Sequence, residues 1–220
     1  MTSPQAALPA TIAAPVEHEL VIKKSRFLAH VEPVGSVEEA DSVIAAVRKQ
    51  RWDARHHCVA LVVGPRADQQ RSSDDGEPSG TAGVPMLEVL RQRHLTDVVA
   101  VVTRYFGGVL LGAGGLVRAY SSAVSEALDM AVIVRREVLT EVAFDVPHAE
   151  AGRIDNWLRD WSATHGAVLE PARYGAAVGF LVLVPGAALD ALDADAASIS
   201  AGSLVGARGG SRIVDLPPGA

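Results

Sequence analysis

The hydrophobic positions of this chain follow two spacings, and each spacing predicts its own kind of element. Apolar runs that are continuous, or that alternate with polar residues, predict strands. In the first part of the chain these runs cover residues 20–31, 58–64 and 98–106. Apolar residues three and four positions apart predict helices, which begin at a Ser36 to Glu39 capping box, at Pro85 and after Gly115. The polar stretch between residues 65 and 83 is predicted to be one long loop.

The same spacings restart near Arg136 and predict a second domain. Its expected strands are residues 138–146, 167–174, 177–184 and a last one from Leu204 onward. Its helices are expected around residues 154–161 and at residues 187–199. The order β-α-β-β-α-β is the ferredoxin-like arrangement. We therefore predict an α+β protein whose parts are a flexible tail at 1–17, an N-terminal domain at 18–136, a ferredoxin-like C-terminal domain at 137–216 and a short tail from Leu216.

Composition and charge narrow the class of function. Of the 220 residues, 49% are hydrophobic and only 5% aromatic, so cores of ordinary size are expected, filled by small aliphatic side chains. Residues 1–136 carry 15 Lys and Arg against 15 Asp and Glu, whereas residues 137–220 carry 5 against 11. The net charge of −6 therefore lies in the C-terminal part. This balance argues against a strongly basic nucleic-acid binder but leaves room for a local basic patch.

Several classes of site and location find no support. The single cysteine, Cys58, cannot form an internal disulfide and opens an apolar run, so a buried side chain is expected. His56 and His57 are adjacent at the start of a strand and project to opposite faces, which is poor geometry for one metal ion. The first fifteen residues lack a basic start and a continuous apolar stretch, and no apolar run approaches about 18 residues. We therefore predict no metal, no cofactor and no membrane span, and a cytoplasmic protein.

The polar loop contains a dense group of carboxylates, with Asp74, Asp75 and Glu77 within four residues. Such a loop can hold a hard cation, present hydroxyl and backbone N–H groups to an anion or a sugar, or offer one carboxylate as a general base. Its spacing does not match the calcium loop D-x-D-x-D-G. It is equally consistent with a solvated loop, because Asp-Gly, Glu-Pro and Ser-Gly are turn dipeptides.

Two further segments offer groups for anions. The strand that ends near residue 106 presents Arg104 and Tyr105, which suit a phosphate or carboxylate and a stacking surface. Alternatively, Arg104 pairs internally with one of the loop carboxylates. Residues 112–115 are Gly-rich and precede a helix that carries Arg118, and helix starts favour anions. Close packing of that helix on a sheet explains the glycines as well, and neither a P-loop nor a G-x-S-x-G nucleophile motif occurs.

Three collinear motifs resemble the signature of the YigZ/IMPACT family. They are DDGEPSGTAG at 74–83, VTRYFGG at 102–108 and LGAGGLVRAY at 111–120, accompanied by KKSRF at 23–27 and HHC at 56–58. The resemblance implies that the N-terminal domain has the fold of elongation factor G domain IV and of GHMP kinases, a sheet with helices on one face. It implies a C-terminal domain similar to domain V of the same factor. Eukaryotic members of the family are translational regulators that bind a partner protein and do not act by catalysis.

These motifs give the predicted binding residues and three functional hypotheses. The residues are Arg71, Ser73, Asp74, Asp75, Glu77, Ser79, Thr81, Arg104, Tyr105, Gly107, Gly108, Gly114, Gly115, Arg118 and His57. The first hypothesis is a translation-related regulator or an RNA- or ribosome-binding module, whose partner is RNA, the ribosome or a translation-related protein. The second is an enzyme that uses the carboxylate cluster and Arg104 on a phosphorylated or carboxylated small molecule. The third is a structural lock between those groups. The oligomeric state stays open.

Overall fold

The computed structural model describes residues 8–216 and divides into two compact units, one ending at Arg135 and the other beginning at Arg136. Each unit combines a sheet with helices and has its own hydrophobic core. The predicted α+β class is therefore confirmed. None of the helices in the described part of the chain is long and apolar enough to cross a membrane.

The first unit is built on one five-stranded antiparallel sheet. Its elements are β1 (Thr11–Ile12), β2 (Val16–Ile22), β3 (Ser25–Pro33), α1 (Val37–Gln50), β4 (His56–Val63), β5 (Gln69–Ser73), α2 (Gly83–Gln92), β6 (Val98–Tyr105) and α3 (Ala113–Asp129). The sheet has the order β2-β3-β6-β4-β5. The capping box at the start of α1 is formed, because the Ser36 hydroxyl accepts the Glu39 N–H at 3.2 Å.

Helices cover both faces of this sheet, so the expectation of helices on one face is wrong. Cys58, Ala60 and Val62 of β4 face α2 and α3, whereas Val59 and Leu61 between them face α1. The same alternation holds in β6, where the residues on both faces are fully buried. This burial explains why both strands read as continuous apolar runs, which are typical of strands covered on two sides.

Two stretches that were predicted to be irregular contain strands. Residues 1–7 of the predicted tail lie outside the described residues, but Ile12 is only 2% exposed and pairs with Ile133. The carbonyl of Ala10 also accepts the Thr96 N–H at 2.8 Å, so burial and pairing fix this part of the chain. Within the predicted loop at 65–83, β5 pairs with β4 and leaves a shorter loop before α2.

The second unit has the strand order of a ferredoxin-like domain. Its elements are β7 (Ile133–Val146), which begins in the first unit, α4 (His148–His165), β8 (Val168–Leu169), β9 (Arg173–Tyr174), β10 (Val178–Pro185), α5 (Leu189–Ser200) and β11 (Ala207–Leu216). The order is β11-β7-β10-β8, and β10 is antiparallel to β7, to β8 and to the short β9. The strand predicted at 167–174 is divided into β8 and β9. Of the predicted C-terminal tail, Leu216 belongs to β11 and residues 217–220 lie outside the described residues.

Candidate functional site

Asp74 ties the carboxylate-rich loop to the start of α2. Its Oδ1 accepts the backbone N–H groups of Ala82 at 3.0 Å and Gly83 at 2.8 Å, and its Oδ2 accepts that of Gly80 at 2.8 Å. No side chain of the N-cap residue itself caps α2, so Asp74 takes this role from a distance in sequence. Burial alone would raise the pKa of Asp74, but the three N–H groups outweigh it and hold the pKa below its usual value. Asp74 is therefore an ionised structural cap.

Glu77 forms a buried ion pair with Arg104. Their side chains are 3% and 7% exposed, and Nη1 of Arg104 lies 2.6 Å from Oε1 of Glu77. The hydroxyl of Tyr120 donates to the same oxygen at 2.7 Å. Burial is the main reason that the pKa of Tyr120 lies far above its ordinary value, and the Cys58 and Glu77 neighbours add to it. The sequence left open which loop carboxylate would pair internally with Arg104, and in the structure it is Glu77.

Two aromatic rings enclose the same guanidinium. The Arg104 Cζ lies 5.4 Å from the ring centre of Phe27 and 5.6 Å from that of Phe106, within cation–π distance. Phe27 also meets Tyr120 edge to face at 5.2 Å. Cys58 is fully buried as expected and its thiol donates to the Asp74 carbonyl at 3.0 Å. Burial raises the pKa of this thiol to about 12, so it is not a reactive nucleophile.

Asp75 lies in a second group of contacts. Its Oδ2 accepts the backbone N–H of His57 at 2.6 Å, and its Oδ1 accepts from Arg48 of α1 at 2.9 Å. His57 is 7% exposed, and its Nδ1 lies 3.1 Å from the Thr103 hydroxyl. Burial lowers the pKa of His57 more than the nearby Asp75 carboxylate raises it, so the neutral ring is favoured. Arg48 is a residue that the site prediction missed, and its sequence signal was only its place in a basic stretch.

The strand alternation separates residues that were predicted to act together. Arg104 faces the side of the sheet covered by α2 and α3, whereas its neighbour Tyr105 lies on the other side and donates to Asp53 at 2.8 Å. Arg71 of β5 pairs with Asp41 of α1, away from Glu77. Each loop carboxylate thus has a different partner: Asp74 holds the start of α2, Glu77 holds Arg104 of the sheet, and Asp75 holds Arg48 of α1. The three do not converge on one cavity.

The hydroxyl groups of the loop serve mainly local turns. Thr81 donates to the carbonyl of Pro78 at 2.6 Å, and the Ser73 oxygen accepts the Asp75 N–H at 3.3 Å. Ser79 is exposed. No group of three or more His, Cys, Asp or Glu side chains within residues 8–216 is arranged to hold a metal ion.

The glycines after β6 allow a close approach to the turn between β2 and β3. A Cβ atom on Gly107 would lie 2.0 Å from the carbonyl carbon of Lys24, and the Gly107 N–H donates to the Ser25 hydroxyl at 3.1 Å. Gly108 has a φ of 85°, which favours glycine. Further along, no N-cap side chain caps α3, which contains Gly114, Gly115 and Arg118 in its first turns.

Of one exposed region near these glycines, the site prediction included only Arg118 and missed the other residues. We define the tip surface as Lys23, Lys24, Phe106, Val109, Leu110 and Arg118. Phe106 is 55% exposed, Val109 42% and Leu110 82%, and the three cationic residues are exposed too. Three consecutive apolar residues between Gly108 and Gly112, in an otherwise turn-rich stretch, were the sequence signal that could have indicated it.

Known proteins match both units of the chain. The family model described as the Impact N-terminal domain matches residues 23–128, and a domain of unknown function (DUF1949) matches residues 144–203. The IMPACT family member YvyE of Bacillus subtilis is 49% identical over 150 residues, which are 68% of this chain and 69% of that protein. The IMPACT family member YigZ of Escherichia coli is 41% identical over 194 residues, which are 87% of this chain and 93% of that protein.

A solved structure extends the similarity to the fold. The crystal structure of a hypothetical protein superposes with a TM-score of 0.59 at 38% sequence identity, over 92% of this chain and 97% of that one. All predicted binding residues, from His57 to Arg118, lie inside the range of the N-terminal family model.

Proposed function

This chain belongs to the IMPACT family, and we propose that it is a translation-related binding protein and not an enzyme. The observation that carries the proposal is the use of the motif's charged groups inside the fold. Asp74 caps α2, Glu77 pairs with Arg104, and Asp75 holds both Arg48 and the start of β4. These contacts stabilise the fold of the first unit, and on this proposal the exposed surface of that unit binds the partner.

These contacts oppose catalysis by the carboxylate cluster. A general base needs a free lone pair within hydrogen-bond reach of the substrate proton. Asp74 already accepts three backbone N–H groups and has a lowered pKa, which makes it a weak base. Glu77 is enclosed with Arg104 and Tyr120, and a substrate that displaced Arg104 would leave the buried Glu77 charge unpaired.

The role in translation is supported by the family. Its eukaryotic members are translational regulators that act through a partner protein. RNA, the ribosome and a translation-related protein are the partners that fit this role, and the cytoplasm is the matching compartment. The first unit balances its charges overall, yet the tip surface concentrates Lys23, Lys24 and Arg118, which supports contact with an acidic partner.

The test combines ribosome binding with translation output. Purified protein should co-sediment with ribosomes at about 50 mM salt and dissociate at about 200 mM, because contacts by cations weaken steeply with salt. Lys24→Glu should reduce co-sedimentation, whereas Lys49→Glu on α1 is the matched control and should not. A reconstituted translation reaction gives the second readout. If the protein neither binds ribosomes nor changes protein synthesis at stoichiometric amounts, a translation-related role is wrong.

One observation favours the enzymatic alternative. The Nε of Arg104 is buried and has no hydrogen-bond partner within the described chain. A phosphorylated or carboxylated small molecule that reached it would supply the missing acceptor. The alternative predicts turnover or binding in a screen of phosphorylated and carboxylated metabolites, abolished by Asp75→Asn and by Arg104→Ala. An activity that survives either change does not belong to this cluster.

A further inference from the structure

The tip surface combines exposed apolar groups with unpaired positive charge. Leu110 is 82% exposed and Phe106 55%, which are large fractions for such side chains. Lys23, Lys24 and Arg118 have no ion pair with any residue in the range 8–216. Several other arginines of the first unit are held by carboxylates: Arg26 by Glu19, Arg48 by Asp75, Arg51 by Glu17 and Arg93 by Asp129. The tip surface therefore combines three unpaired cations with the most exposed leucine of this unit.

The backbone holds the two lysines in a costly conformation. Ile22 and Ser25 pair across a two-residue turn, in which Lys23 has a φ of 47° and Lys24 a φ of 67°. Such turns favour Asn and Gly, because a Cβ atom is strained at positive φ. Strain of this kind persists where the surrounding structure enforces it and is concentrated at binding sites. Here the close approach of Gly107 to Lys24 holds the lysine turn against the apolar loop.

The apolar side chains distinguish a protein partner from RNA. Single-stranded RNA is bound by cations together with aromatic rings on which bases stack. The tip surface has one aromatic ring, Phe106, and Arg104 already lies against it at 5.6 Å. Val109 and Leu110 have no π face, and an exposed aliphatic pair is suited to apolar side chains of another protein. The cations beside the pair complement carboxylates.

We propose, on the premise that the chain is a binding protein, that the tip surface docks a protein segment that bears both acidic and apolar side chains. The apolar side chains of the segment contact Phe106, Val109 and Leu110. Its carboxylates pair with Lys23, Lys24 and Arg118. RNA is the competing occupant, and the test separates the two.

Four fluorescein-labelled probes test the proposal by anisotropy with the full chain. The first is an amphipathic peptide of about 16 residues with leucines at helical spacing and glutamates between them. The second replaces its leucines by serine, the third replaces its glutamates by lysine, and the fourth is a uridine oligonucleotide of similar charge. The first peptide should bind, and the second and third should bind at least about fivefold more weakly.

Two exposed apolar residues provide the matched pair of variants. Leu110→Ser should weaken the first peptide at least about fivefold. Val205→Ser, at a site that is 78% exposed in the second unit, should leave its affinity unchanged. Binding of the oligonucleotide in preference to the first peptide, equal binding of the first two peptides, or no effect of Leu110→Ser would each overturn the proposal. If the first peptide does not bind but the protein still co-sediments with ribosomes, the docking proposal is wrong and the proposed function stands.

Discussion

Removing the charge of Glu77 tests whether the family motif is a structural lock. Glu77→Gln keeps the shape of the side chain and can still accept from Tyr120, but it leaves the Arg104 guanidinium buried without a counter-ion. Breaking a buried pair by removing one partner costs about 3–5 kcal/mol. Because the hydrogen bond from Tyr120 is retained, we expect about 3 kcal/mol, the lower end of that range.

Scanning calorimetry is the suitable assay, because the chain has two compact units. A loss of about 3 kcal/mol should lower the melting temperature of the first unit by roughly 10 °C. The transition of the second unit should not move. Glu88→Gln is the matched control, since Glu88 lies 3.8 Å from Arg91 in an exposed pair and should change stability by less than about 0.5 kcal/mol.

A double-mutant cycle then separates the pair from its surroundings. Arg104→Met removes the charge but keeps the length of the side chain, and alone it leaves the Glu77 carboxylate unpaired. The double variant leaves no unpaired charge, so it should be less destabilised than the two single losses together, by about 1–3 kcal/mol. A coupling below about 0.5 kcal/mol, or a Glu77→Gln protein as stable as the Glu88→Gln control, would refute the lock.

Three further outcomes follow from the contacts of single residues. Asp74→Asn should lower the free energy of unfolding by about 1.5–3 kcal/mol at neutral pH. Because the pKa of Asp74 is lowered in the folded protein, its stabilisation is present above about pH 4 and should be lost as the pH falls through the folded pKa. Urea unfolding at a series of pH values should show this loss in the unmodified protein but not in the variant. Cys58, with its thiol pKa raised to about 12 and no exposed surface, should react with iodoacetamide at pH 8 at least about a hundredfold more slowly than in urea, and equal rates would contradict its burial. Gly107→Ala should destabilise the protein by about 1–3 kcal/mol, because the new Cβ would collide with the Lys24 backbone. Gly152→Ala in α4 is the control, because its Cβ would meet open space, and it should stabilise the protein by up to about 1 kcal/mol. Equal melting temperatures for the two variants would contradict this prediction.

Periodicity could predict the elements of this fold but only part of their arrangement. The ferredoxin-like order of the second unit followed from the sequence of strands and helices, because that order has few compact solutions. The helices on both faces of the first sheet did not follow, although the unbroken apolar runs of β4 and β6 indicated burial on two sides. The strand β5 was missed because its sequence, Gln69 to Ser73, is polar and is fixed by pairing with β4.

The candidate site was predicted as a set of residues and not as a geometry. Sequence spacing identifies which groups are near each other along the chain, but strand alternation sends Arg104 and Tyr105 to opposite faces. The partners of the loop carboxylates come from distant segments, as with Arg48 for Asp75 and Tyr120 for Glu77. No local signal in the sequence indicates such a pairing. The sequence therefore left both the structural and the catalytic hypotheses open.

The lock and the tip surface are linked through one side chain. Arg104 pairs with Glu77 and lies between Phe27 of β3 and Phe106, which belongs to the tip surface and is the first residue of the loop after β6. The position of Phe106 therefore depends on a guanidinium that the family motif holds in place. It follows that loss of the Glu77 charge should weaken both stability and binding at the tip, whereas Leu110→Ser should weaken binding alone. On this proposal, a motif of acidic and glycine residues is required for function without contacting a ligand, because it holds the loop for which we propose the contact.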